Sequence, residues 1–161
     1  MDQIGLLRLW LTAIRPRTLS MALVPVIIGN LHALADAGQI QLWILMLTAL
    51  SALSIQVATN LHNDVSDFEK GGDGPDRLGP TRVTARGWAT AADVRRAAAI
   101  SFLLAAISGL ILVWFGGWPI LLLGLASLLA GWAYSGGPRP LSYSPFGEIA
   151  VLCFFGMAAV S

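Results

Sequence analysis

Charge is scarce in this chain: only 12% of its 161 residues are Asp, Glu, Lys or Arg, where a soluble domain carries about 25%. Apolar residues make up 56% and the mean hydropathy is +0.71. A chain so poor in charge wants a nonaqueous surrounding, which points to a bilayer rather than a soluble domain. The net charge of +1 leaves no broad basic surface for nucleic acid and no bulk attraction for an acidic partner. Cysteine occurs once, as Cys153, so no internal disulfide can form, and within its apolar run it reads as a small buried hydrophobe. The first twenty residues, "MDQIGLLRLWLTAIRPRTLS", hold arginines but no short apolar core followed by a small-residue cleavage site, so no removable signal is expected there. Internal repeats and low-complexity segments are likewise missing.

What is present is a series of long apolar runs. A spanning helix needs about 20 mainly apolar residues, and five stretches come close: 18–35, 41–62, 94–115, 118–135 and 145–161. The expected fold class is therefore all-α, a multi-pass transmembrane helical bundle of about five spans filling residues 1–161. Lysine and arginine collect on the cytoplasmic side of membrane proteins. With five spans, all ten basic residues of this chain fall on one side, while the opposite turns, "DAGQI" and "GGW", hold a single charge, Asp36. The N-terminus and the 64–93 loop are accordingly expected in the cytoplasm. Pro25 removes one backbone hydrogen bond from the first span, which suggests a kink and weakly a cavity beside it. Gly109, Gly124 and Gly131 read as sites of close helix approach.

The charge that does occur is concentrated. "NDVSDFEKGGDGPDR", residues 63–77, holds five acids and two bases directly after an apolar run. If the second helix continues, Asn60, Asp64 and Asp67 fall at i, i+4 and i+7 on one face. Carboxylates stacked at a helix C-terminus repel each other and oppose the dipole, so something positive must hold them. Hard oxygen ligands without thiolate or imidazole suit Mg2+, which takes one or two protein carboxylates and completes its shell with water and substrate phosphate. Lys70, Arg77 and Arg82 are cations of the kind that clamp phosphate oxygens, and the glycines among them allow backbone to approach an anion. Metal and basic groups together describe a diphosphate site. The bland alternative is a solvated loop whose acids and bases pair loosely, although acids lined up at the end of a membrane helix usually mark function. His62 flanks the cluster off the carboxylate face and reads as a helix-end hydrogen bonder. His32 is plainer still, and Glu148 reads as a dipole partner for the last helix.

The run "NLHNDVSDFEKGGDGPDRLGPTR" resembles the first aspartate-rich motif of the UbiA superfamily of intramembrane prenyltransferases, in detail the branch acting on 1,4-dihydroxy-2-naphthoate. Of the pattern N-D-x-x-D-x-x-x-D, Asn63, Asp64 and Asp67 match and Gly71 does not. The next acid, Asp73, is displaced by two residues as in the naphthoate branch, whose R-x-G-P-x-R element is matched by Arg77, Gly79, Pro80 and Arg82. "AIRPRTL" is similar to the segment leading into that family's first helix. "YSGGPRPLSYSPFGE" is similar to the loop ahead of its fifth, with Tyr134 and Arg139 near the substrates.

The resemblance implies a helical bundle around a cavity open to lipid, and a reaction in which polyprenyl diphosphate prenylates an aromatic acceptor with Mg2+ bound to aspartates, giving demethylmenaquinone in the naphthoate branch. It implies Asp64, Asp67 and Asp73 as metal ligands, with Asn63 beside the two central aspartates at the reacting end. Asn60, Lys70, Arg77, Arg82, Arg139 and Tyr134 are implied on the diphosphate side. Trp132, Tyr134, Phe154 and Phe155 are candidates to shield the carbocation, with packing as the alternative. Members of the family have about nine helices and a second aspartate-rich motif, so this chain is expected to be an N-terminal half whose C-terminal half is missing. Two rivals stay open. One is a non-enzymatic membrane protein that binds or passes a divalent cation; the other is a transferase of diphosphate-linked alcohols, whose D-G-x-x-A-R signature "GDGPDR" does not reproduce.

Overall fold

A computed structural model describes residues 5–71, 79–136 and 140. Four α-helices follow in order, α1 (Leu6–Ile14), α2 (Pro16–Ala37), α3 (Leu42–Glu69) and α4 (Ala91–Ser135), and no strand occurs among the described residues. The expected all-α, multi-pass membrane architecture is what the chain adopts: α2, α3 and α4 are each long and apolar enough to cross a bilayer. The span expected at 145–161 lies outside the described residues.

Local chemistry sets the helix ends. Pro16 fixes its own φ for the first turn of α2 and disfavours helical backbone at the residue before it, so α1 stops at Ile14 and Arg15 takes a left-handed conformation at φ 57°. Gly38, at φ 71°, closes α2 by returning its N–H to the Leu34 carbonyl at 2.9 Å. Thr90 caps α4, its hydroxyl oxygen accepting the Asp93 N–H at 3.1 Å. The polar loop is accordingly shorter than the 64–93 expected: α3 continues through both aspartates to Glu69, and α4 begins at Ala91.

At about 1.5 Å per residue, the 45 residues of α4 would measure about 68 Å if straight, twice the hydrocarbon thickness of about 30 Å. They do not run straight. Gly117 leaves helical geometry at φ 69°, ψ −158°, within the "GGW" turn, and the second arm returns along the first. The close packing of Gly131 against Phe102 shows the reversal, since an added Cβ there would lie 3.6 Å from that ring. Both arms pack on α3.

The buried core sits at the polar end of the bundle. Leu9 and Ala13 of α1, Leu61 and Val65 of α3, Val83 of the loop, and Val94 and Ala98 of α4 form one cluster. Deeper in, the helices leave an apolar cavity of about 350 Å3 bordered by Pro25, Ser51, Gly109 and Gly124, among others. Pro25 thus borders a cavity, while α2 continues helical past it. The large apolar side chains facing outward, such as Trp114 and Trp118, suit lipid rather than water.

The three glycines read as packing residues behave differently. A Cβ at Gly131 would stand 2.9 Å from the Thr59 hydroxyl, one at Gly109 3.8 Å from the Ser51 hydroxyl, and one at Gly124 within 4 Å of nothing. Gly131 is therefore the close-approach residue, and Gly124 opens onto the cavity. Gly131→Leu is expected to destabilise the bundle by about 1–3 kcal/mol through overpacking, while Gly124→Leu stays within about 0.5 kcal/mol; thermal unfolding in detergent checks the pair.

Candidate functional site

The last turns of α3 and the loop 79–90 build the site. Asp64 is fully buried, a position in which a carboxylate must be surrounded by donors. The loop supplies them from two consecutive residues. Val83 N–H donates to Oδ2 at 3.0 Å and Thr84 N–H to Oδ1 at 3.1 Å. The Thr84 hydroxyl hydrogen-bonds the same Oδ1 and lies 3.3 Å from the Asp64 carbonyl. One helical turn on, the buried carboxylate of Asp67 forms an ion pair with buried Arg82. Three successive loop residues, 82 to 84, are thereby held on two aspartates of one helix. The loop closes behind them through Gly87 N–H to the Thr84 carbonyl at 2.9 Å and Trp88 N–H to the Val83 carbonyl at 3.0 Å.

The positive partner demanded by carboxylates at a helix C-terminus is thus supplied by a guanidinium and by oriented amides. Sequence spacing did not single out Val83 or Thr84. Their only signal is position, directly after Arg82, and a backbone N–H carries no residue-specific mark.

A second cluster links α3 to the end of α4. Asn63 Nδ2 donates to Ser135 Oγ at 2.6 Å, and Lys70 Nζ donates to the Ser135 carbonyl at 2.8 Å, placing a cation on an unsatisfied helix-terminal carbonyl. Tyr134 is half-buried one residue earlier. Asn60, expected with the aspartates, directs its Nδ2 elsewhere, to the Ile14 carbonyl at 2.8 Å and the Thr18 hydroxyl at 2.9 Å, and so ties α3 to the α1–α2 junction. His62 sits beside the last turn of α4. It stacks on Trp132 with centroids 6.4 Å apart and meets Phe102 edge-on at 6.3 Å. His32 faces Asp36 at 3.7 Å on the surface of α2. Asp73, Arg77, Arg139, Glu148, Phe154 and Phe155 lie outside the described residues.

Among the described residues no three His, Cys, Asp or Glu side chains converge on a metal position. Asp64 and Asp67 supply two carboxylates one turn apart, with the asparagine Asn63 beside them. Both Asp64 oxygens accept from loop donors and Asp67 pairs with Arg82, so a divalent cation binding these carboxylates would share them with those donors.

Comparison with known proteins adds the following. The UbiA prenyltransferase family matches residues 22–161. The 1,4-dihydroxy-2-naphthoate octaprenyltransferase of Escherichia coli (strain K12) is 37% identical over 99% of this chain and 53% of its own length. The protein of the same name from Mycobacterium tuberculosis is 36% identical over 94% of this chain and 51% of its own. The 2-carboxy-1,4-naphthoquinone phytyltransferase of Synechocystis is 32% identical over 96% of this chain and 49% of its own. The chain spans about half the length of these relatives. No solved structure matches it.

Because Asp64 is the acceptor for three loop donors, Asp64→Ala is expected to leave buried N–H groups unsatisfied at a cost of about 2–4 kcal/mol. Amide hydrogen exchange at Val83 and Thr84 should lose its protection while that of the α4 interior keeps it. Unchanged exchange at both amides would show that the loop is held by other contacts.

Proposed function

The chain belongs to the UbiA prenyltransferase family, and from that premise we propose that it forms the donor-binding part of an aromatic prenyltransferase, transferring a polyprenyl group from its diphosphate to 1,4-dihydroxy-2-naphthoate to give the quinol form of demethylmenaquinone. The acceptor is inferred from relatives named for naphthoate substrates. In this reading a portion equivalent to the relatives' other half completes the site, the protein sits in the cytoplasmic membrane, and the N-terminus and the 70–90 loop face the cytoplasm, where arginines concentrate.

The observation that carries the reading is the meeting of Asp67 with Arg82 beside the loop-bound Asp64, which puts anionic oxygens and a guanidinium at the polar end of a membrane helix. Asp64 and Asp67, with Asp73, would hold Mg2+, which when bound supplies positive charge against the departing diphosphate. Arg82, with Arg77, Arg139 and Lys70, binds the diphosphate oxygens through charge-assisted hydrogen bonds, and Asn63, Asn60 and Tyr134 belong to the same wall. The Asp67–Arg82 pair keeps the guanidinium aimed at the site before substrate arrives, which lowers the cost of ordering it afterwards.

When the allylic carbon–oxygen bond breaks, its electron pair leaves with the diphosphate, and the resulting carbocation must meet the acceptor before it meets water. The apolar cavity among α2, α3 and α4 suits the prenyl chain and keeps that end of the site dry. The electron-rich ring carbon forms the new carbon–carbon bond, and the ring carboxylate departs as carbon dioxide.

The test is pyrophosphate release from a polyprenyl diphosphate and dihydroxynaphthoate, with and without Mg2+, in membranes holding the chain alone and the chain joined to a portion equivalent to the relatives' other half. Release is expected from the joined form only, and only with Mg2+. Asp67→Ala should slow it at least about a hundredfold, and Arg82→Ala should chiefly raise the donor KM. Near-normal rates in Asp67→Ala would remove the metal assignment. Metal binding indifferent to prenyl diphosphate would instead favour a cation-binding protein.

A further inference from the structure

Gln56 stands at the middle of α3 (Leu42–Glu69), about 20 Å from either end at about 1.5 Å per residue. It is only 8% exposed, and its Oε1 is buried with no hydrogen-bond partner among the described residues. Whichever way a primary amide is turned, it offers an acceptor oxygen and an N–H2 donor. Leaving that oxygen unsatisfied at membrane depth is costly. A methionine or leucine would fill the same volume without the cost, so packing alone does not account for an amide here.

Its register points to a use. Eleven residues separate Gln56 from Asp67, which at about 100° per residue sets the two about 20° apart around the helix, with Asn63 about 20° to the other side. Gln56 therefore lies in line with the polar end of the site, about 16 Å inward from Asp67 along the axis. Asn60, between them, is held by Ile14 and Thr18, whereas the Gln56 oxygen meets no hydrogen-bond partner among the described residues.

We propose that Gln56 is an acceptor-binding residue that orients the aromatic ring by taking a hydrogen bond from a ring hydroxyl. This rests on the prenyl-transfer reading above. A diphosphate held at Asp67 and Arg82 projects its prenyl chain inward along α3, so the ring that attacks the first carbon of that chain lies on the membrane side of the diphosphate, between Asp67 and Gln56. A hydroxyaryl carboxylate presents a donor hydroxyl and an acceptor carboxylate on neighbouring ring carbons. A primary amide presents the complementary pair, oxygen for the hydroxyl and N–H for the carboxylate. Holding both edges decides which ring carbon faces the donor.

The experiment compares wild type and Gln56→Met in membranes where the joined form described above supports transfer, measuring KM for donor and acceptor separately and repeating the series with an acceptor analogue that lacks the hydroxyl beside the carboxylate. Gln56→Met is expected to raise the acceptor KM about tenfold with the donor KM unchanged, and to lose the wild-type preference for the hydroxylated acceptor over the analogue. An unchanged acceptor KM, or an undiminished preference, overturns the role. Donor and acceptor KM rising together with a lowered melting temperature marks Gln56 as packing and overturns it as well. A wild type that transfers nothing overturns the transferase reading and this inference with it.

Discussion

A carboxylate without solvent contact at the end of an apolar helix is tolerated only where donors enclose it, and Asp64 meets that condition with the amides of Val83 and Thr84 and the Thr84 hydroxyl. Much of the polar end follows from this contact. It brings a segment nearly twenty residues later in the chain back onto α3, which seats Val83 in the core with Leu61, Val65 and Val94 and places Arg82 against Asp67. An apolar residue at position 64 would leave the amides of Val83 and Thr84 without this acceptor.

The clasp bears on how the two aspartates divide their work. Asp64 is enclosed by donors from Val83 and Thr84, whereas Asp67 pairs with the Arg82 guanidinium, a type of group that also engages phosphate oxygens. The anchoring of the loop is thus shared by two neighbouring carboxylates of α3.

The frame beneath is set by two glycines with different tasks. Gly117 supplies a positive φ at which α4 reverses, and Gly131 lets the returning arm come within reach of Thr59. The reversal brings Ser135 to Asn63 and Lys70, so the second arm also reaches the polar end of α3. The glycines could be seen in the sequence as close-approach candidates, but their spacing did not separate Gly131 from Gly124, because each is flanked by apolar residues of the same kind and only the facing helix tells them apart.

Composition and periodicity by themselves determined the membrane setting, the helical class, the turn at "GGW" and the placing of Asn60, Asp64 and Asp67 toward one end of one helix. These are local or additive properties, readable from hydrophobic run length and a 3.6-residue repeat. Which partner each polar side chain at that end of the helix meets was decided by tertiary structure alone. Asn60 turns to the α1–α2 junction, His62 to the rings of Trp132 and Phe102, and Asp64 to backbone amides of Val83 and Thr84. The physical reason is that such partners lie far off in sequence, and in two of these cases include backbone groups that every residue type carries equally, so only the folded path of the chain selects among them.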